Sequence, residues 1–407
     1  MLIIIIVILI ILFGIGTFIW YAFRYEIVNF KLTENKIYVK SKLSIKEETK
    51  PINENENNQK KISELKILHL SDFHLRNDFK GKKLRNFLKI LSLDSYDFIF
   101  ITGDMVEKDM LHDELIEVLK SFKAKYGIFI VFGAHDYYNK KPTEFIKNMF
   151  KKRESYSRKN NIVSLRKKLE SIGIKVLQNE NVILKNTSFY DEIDIIGVDD
   201  PLINKMDLKK SFKGIPEYDE NVKIIEFNEI SKSESNFKVK NLSYDKFLNS
   251  DENFKINNLS KLNGLNENDL NDVKNQKNKY LINTAAIKKT NEYKQTFILS
   301  KKSLHELNQD NKLRIALVHT PDSYALVNLA LNNVDIIFSG HTHGGQVRIP
   351  IKGALIAGCN LKTKYAAGLF YFKKFVLQVS RGLGEGRFSK FRIHCDPEAI
   401  VTYIIKN

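Results

Sequence analysis

The chain has 407 residues, 43% of them hydrophobic and 28% charged, which excludes a wholly disordered protein and leaves room for one large domain or two ordinary ones. Its 65 Lys and Arg against 48 Asp and Glu give a net charge of +17, which suits nucleic acid, anionic lipid or phosphorylated substrates and selects none of them. Two cysteines, Cys359 and Cys395, exclude a disulfide framework and a Cys-rich zinc module.

Residues 1–23 carry no charged side chain, and residues 2–13 are nearly pure Ile, Leu and Val. As a helix this run covers roughly 30 Å, the thickness of a bilayer core. Trp20, Tyr21 and Tyr25 stand where an interfacial aromatic belt belongs. Neither a basic n-region nor a small-x-small cleavage site marks it as a removable signal, so a retained, single-pass membrane anchor is expected. Arg24, Lys31, Lys36, Lys40 and Lys42 follow the run and no basic residue precedes it. The positive-inside bias then favours the cytoplasmic side of the cell membrane for the rest of the chain.

Residues 24–63 read as a strand-like stretch followed by a polar linker. The globular pattern starts at residue 64. A strand at 66–70 precedes a helical stripe of Leu84, Phe87, Leu88 and Leu91; a strand at 98–101 precedes a stripe of Leu111, Leu115, Val118, Leu119 and Phe122; a third strand covers 128–132. This alternation predicts an α/β sheet with helices packed on it. Shorter apolar runs lie near Ile174, Val182 and 193–198. Residues 204–311 lose all periodicity and are rich in Asn, Lys, Ser, Asp and Glu, an inserted low-complexity segment expected to be disordered. Strand patterns resume at 314–318 and 335–338, so the domain is expected to comprise 64–203 and 312–407.

Asp and His recur where these strands end. The endings are Ser71-Asp72-Phe73-His74, Thr102-Gly103-Asp104, Gly133-Ala134-His135-Asp136, His319, and Gly340-His341-Thr342-His343-Gly344-Gly345. Open α/β sheets bind their ligands at the carboxyl ends of strands. Each fragment alone is weak, since a lone strand-end His is more often a structural hydrogen-bonder; five in order, each after an apolar strand, point to a metal centre. Carboxylates mixed with imidazoles suit Mn²⁺, Fe or Zn²⁺, and a carboxylate can bridge two ions that clamp a phosphoryl group. His69 reads as a core residue, and His112, His305 and His394 match no ligand spacing.

The order Asp-x-His, Gly-Asp, Gly-x-His-Asp, His, Gly-His-x-His resembles the calcineurin-like metallophosphoesterases. The run Gly-His-Thr-His-Gly-Gly-Gln-Val-Arg at 340–348, with Ser-Arg-Gly-Leu-Gly at 380–384 and Cys395-Asp-Pro-Glu398, is similar to a membrane-anchored bacterial branch of YkuE- and YaeI-type proteins. That branch is related to the enzymes that split UDP-2,3-diacylglucosamine on the lipid A pathway. The resemblance implies a fold of two central β-sheets flanked by helices and a binuclear phosphoesterase. It implies Asp72, His74 and His343 on one metal ion, Asp104 as the bridge, and His319 and His341 on the other. His135 would face the scissile phosphate, oriented by Asp136. Where the family has Asn, this chain has Ala134, so the second site lacks a carboxamide ligand and is expected to be weaker. A catalytically degenerate binding module is therefore the alternative from another class. Arg381 and Arg387, around a Gly-Leu-Gly bend, are candidates to reach substrate phosphate, and a solvated surface role is equally open to them. A nuclease or nucleotide phosphodiesterase is a further alternative, although no stacking platform or basic helix supports specific nucleic-acid binding. The expected substrate is phosphorylated and, given the anchor, lipid-linked.

Overall fold

Continuous apolar runs with β-branched and aromatic residues form strands buried on both faces, and here they build two mixed sheets. The computed structural model describes residues 2–40, 64–148, 153–215, 304–308, 311–386 and 388–406. Most of the 204–311 segment and Arg387 therefore lie outside the described residues.

The strands are β1 Lys31–Lys40, β2 Glu64–Leu70, β3 Tyr96–Thr102, β4 Ala124–Val131, β5 Lys175–Val176, β6 Glu180–Lys185, β7 Glu192–Val198, β8 Leu304–Glu306, β9 Lys312–Val318, β10 Ile336–Ser339, β11 Arg348–Ile349, β12 Gly353–Ala354, β13 Gly368–Tyr371, β14 Val376–Val379 and β15 Glu398–Lys406. The first sheet has the order β5-β4-β3-β2-β15-β1-β8 and the second β13-β14-β10-β9-β7-β6; β11 and β12 form a separate hairpin. Each large sheet has a parallel core, β2 to β5 in one and β7, β9, β10 and β14 in the other. Antiparallel pairings of β15 with β2, β6 with β7 and β13 with β14 make both sheets mixed.

The side-chain period of two divides the core. Leu65, Ile67, Phe98, Phe100, Phe129 and Val131 of the first sheet pack against Ile193, Ile195, Leu313, Ile315, Leu317 and Phe338 of the second. On the other face, Leu68, Leu70, Ile99, Ile101, Ile128 and Ile130 meet Leu84, Leu88, Leu115, Leu119, Leu165 and Leu169. Those last six residues line helices Phe79–Leu91, His112–Leu119 and Ile162–Ser171. Each such buried side chain contributes roughly 1.5–3 kcal/mol. The first of these helices starts where Asp78 accepts the Gly81 N–H, and the third where Asn161 accepts that of Ser164.

The apolar helix Leu2–Trp20 is exposed along its length and, with the turns after it, is long and apolar enough to cross a membrane. Its end is held by the domain. The Ala22 carbonyl accepts the Arg392 N–H at 3.1 Å, the buried Glu26 carboxylate accepts the Cys395 N–H, and Phe23 packs on Phe391 with ring centroids 5.3 Å apart. The chain then enters β1, which runs parallel to β15 from Lys31↔Glu398 to Val39↔Lys406, with β8 on its other side.

Candidate metal centre

The strand ends of both sheets converge on one cluster. Asp72 and His74 follow β2, Asp104 follows β3, His135 follows β4, His319 follows β9, and His341 and His343 follow β10. Asp72, His74, Asp104, His341 and His343 all have φ between 40° and 68°, a left-handed conformation that non-glycine residues seldom adopt. Two glycines are required by proximity. A Cβ on Gly133 would lie 2.2 Å from Asp104 Oδ1, and one on Gly340 would lie 1.8 Å from Ser71 Oγ.

Three sets of potential ligand atoms come within 4.8 Å of one another: Asp72, His74 and His343; His74, Asp104 and His135; and Asp104, His319 and His341. Asp104 links them. Its Oδ2 is 3.7 Å from His74 Nε2 and 3.2 Å from His319 Nε2, while its Oδ1 accepts the His135 N–H at 2.8 Å. Asp72 Oδ2 accepts the Ser71 hydroxyl and the His341 N–H, leaving Oδ1 3.6 Å from His343 Nε2.

The outward nitrogen of each imidazole is engaged elsewhere, which sets the ring orientations. His74 Nδ1 lies 2.9 Å from Glu107 Oε1, His319 Nδ1 2.6 Å from the Thr102 carbonyl, and His343 Nδ1 2.9 Å from the Gly384 carbonyl. His341 is turned the other way, its Nε2 2.9 Å from the Gly358 carbonyl. Three buried ligand atoms of this cluster then remain without a hydrogen bond: Asp72 Oδ1, His74 Nε2 and His319 Nε2. Unpartnered buried lone pairs facing a carboxylate are costly unless a cation satisfies them, so the donor set fits divalent metal ions.

The electrostatics agree. Burial opposes ionisation of Asp104, but His319, His135 and His74 override it and hold its carboxyl well below the usual range. Burial likewise opposes charge on His319, yet the carboxylates of Asp104, Asp72 and Asp200 raise its pKa well above the ordinary value. His343 moves the opposite way, lowered by burial and by the neighbouring His74 and Arg392. Burial and then Lys140 lower His135 to about 3, leaving a neutral imidazole.

Asp136 has a different task from the expected one. Its two carboxylate oxygens accept the N–H groups of Gly133, Asp104, Met105 and Val106, so it ties down the backbone carrying Asp104 rather than the His135 ring. The His135 ring instead faces Glu107, with Nδ1 3.6 Å from Oε1. Ala134 is fully buried beside these groups and offers no donor atom. Arg381 lies alongside Gly344, and its Nε is 3.7 Å from Glu398. His69 is buried between Thr102 and Gln378, and His305 pairs with Asp335.

Sequence reasoning missed Glu107 and Asp200. Asp200 is fully buried just beyond β7, where burial raises its carboxyl pKa and the charges of His319 and His341 draw it back. The Asp199-Asp200 pair at a strand end was a usable signal, whereas Glu107 sits in a loop with no motif around it.

A family model for calcineurin-like phosphoesterases matches residues 65–225. The metallophosphoesterase YkoQ of Bacillus subtilis (strain 168) is 30% identical over 155 residues, covering 37% of this chain and 49% of that protein. Phosphodiesterase YaeI of Escherichia coli (strain K12) is 33% identical over 98 residues, 24% of this chain and 34% of that protein. A Bos taurus transmembrane protein with a metallophosphoesterase domain is 27% identical over 165 residues, 38% of this chain and 33% of that protein. The chain thus spans about half or less of the length of these curated relatives.

Proposed function

From the calcineurin-like metallophosphoesterase domain that this chain carries, we propose that it is a membrane-anchored phosphoesterase hydrolysing a phosphodiester or pyrophosphate bond with two divalent metal ions. The observation carrying this reading is the set of buried, unpartnered ligand atoms, Asp72 Oδ1, His74 Nε2 and His319 Nε2, arranged around Asp104. Asp72, His74 and His343 would hold one ion and His319 and His341 the other, with Asp104 lying between the two sets of ligands. Mn²⁺, Fe and Zn²⁺ all suit these ligands. Such ions acidify water and withdraw charge from phosphoryl oxygens.

The chain's own residues supply position and hydrogen bonds. Asp136 holds the loop that presents Asp104, and Glu107 orients His74. His135, kept neutral by burial, donates an N–H hydrogen bond to the phosphoryl or leaving-group oxygen. The apolar helix Leu2–Trp20 serves as a single-pass anchor with the domain on the cytoplasmic side, and a lipid-linked substrate such as UDP-2,3-diacylglucosamine fits that placement.

The test is metal analysis of the full chain in detergent, with turnover of bis-p-nitrophenyl phosphate followed before and after chelation. Metal should copurify, chelation should abolish turnover, and Mn²⁺ should restore it. Bound metal without turnover of any phosphoester would instead identify a binding module.

A further inference from the structure

The β11–β12 hairpin belongs to neither large sheet, and its large apolar side chains are exposed. Ile351 at the tip is fully exposed and Ile356 is 70% exposed, with Ile349 and Leu355 also open. The base is firm, because Ala354, Ala357 and Ala366 pack together and the Leu355 N–H donates to the Val347 carbonyl at 3.3 Å. Ile351 also has φ 68°, the left-handed region. A β-branched residue is strongly disfavoured there and Gly or Asn is the default, so the exposed isoleucine is kept against the backbone's preference.

The hairpin is tied to the segment that grips the anchor. Arg348 N–H donates to the Ile393 carbonyl at 2.9 Å, and Ile393 N–H donates to the Gln346 carbonyl at 3.0 Å. Within the same segment Phe391 packs on Phe23, Arg392 N–H meets the Ala22 carbonyl, and His394 lies 6.5 Å from Tyr21 between ring centroids. Two hydrogen bonds therefore link the hairpin to the residues that hold the membrane-proximal end of the apolar helix. Lys352, Lys362, Lys364 and Lys390 are exposed on the hairpin and the segments beside it, suited to the negative surface of anionic lipid. On its other side the chain runs directly to Gly358, whose carbonyl meets His341 Nε2.

We propose that this hairpin is a second membrane contact, inserting Ile349, Ile351, Leu355 and Ile356 into the lipid interface. It rests on the reading of Leu2–Trp20 as a membrane anchor. The occupant is the bilayer because the hairpin is tied through residues 391–393 to the foot of that anchor and is flanked by exposed lysines. The contact would bring the His341 side of the metal centre to the membrane surface, where the headgroup of an amphiphilic phosphoester is reached while its acyl chains stay in the bilayer.

Trp20 is the single tryptophan, so fluorescence can separate the two readings. The full chain is reconstituted in phosphatidylcholine–phosphatidylglycerol vesicles with or without bromines on the acyl chains. Native Trp20 reports the anchor; Trp20→Phe combined with Ile351→Trp, or separately with Ile356→Trp, reports the hairpin. Brominated lipid should quench the native indole and at least one hairpin indole by roughly twofold or more. Quenching of Trp20 with both hairpin indoles unaffected would overturn the hairpin contact and leave the anchor intact. Such a result would point to cover by protein, in the simplest case a second copy of this chain. An unquenched Trp20 would overturn the anchor and this proposal with it.

Discussion

Five residues of the metal centre sit in left-handed backbone conformations, each costing on the order of 1–3 kcal/mol. Their neighbours hold them there, most visibly at Asp104, where the Asp136 carboxylate accepts the backbone N–H groups of Asp104, Met105, Val106 and Gly133. The residue types and their order were legible in the sequence because Asp and His followed apolar strands repeatedly. The roles of Glu107 and Asp136 were not, since a hydrogen bond between a loop carboxylate and a distant backbone leaves no periodic trace. Three expectations belong at this scale. Ala134→Asn should supply a carboxamide to the second ion and lower the Mn²⁺ concentration for half-activation by about tenfold, read from a metal titration of turnover. His135→Ala should reduce turnover by about a hundredfold or more while metal stoichiometry is unchanged, because that imidazole is assigned to the phosphate; loss of an ion instead would make it a ligand. His69 is lowered to about 3 by burial, so the unfolded chain binds its proton below pH 6.5 and the native chain does not. Stability should therefore fall as pH drops from about 6.5 towards 3, by about 1.4 kcal/mol per unit for this group. His69→Gln should remove that share of the slope in urea titrations at pH 6, 5 and 4.

At the scale of elements, the loop 381–385 behind Asp72 and His343 is held by a buried charge cluster. Arg392 donates to the carbonyls of Arg381, Gly382 and Gly384 and to the Glu385 carboxylate, and Lys80 reaches the same carboxylate. Burial outweighs that partner and lowers Lys80 to about 7. Glu385→Gln would leave the buried Arg392 cation without its carboxylate and drive Lys80 further towards its neutral form, so a loss of about 3–5 kcal/mol in chemical denaturation is expected. Ile351→Asn should act in the other direction, raising stability by about 1 kcal/mol by relieving the left-handed tip. Strands β2, β3, β4, β7, β9 and β10 and the first two domain helices were legible from period and length. The central position of β15 was not. Its run of Ala399, Ile400, Val401 and Ile404 announces a strand, but nothing local says that it lies between β2 and β1.

For the whole molecule, the joint between apolar helix and domain decides where the chain can be cut. Removing residues 1–20 keeps the contacts of Ala22, Phe23 and Glu26, and should give a protein that still binds metal. Removing residues 1–29 strips the Arg392 and Cys395 N–H groups of their acceptors, at about 1–3 kcal/mol for each buried donor left unpaired. A lower melting temperature for the shorter protein, compared with the 1–20 deletion, checks this. The same joint has a consequence for biosynthesis. Asn29 bonds to Asp396, 367 residues further along, and β1 lies beside β15 from its first residue to near its last. A ribosome making this chain delivers the apolar helix and β1 long before their sheet neighbour β15. The first sheet can close only once residues 398–406 have been made, while the nascent β1 waits behind its apolar helix with its hydrogen-bonding edges open.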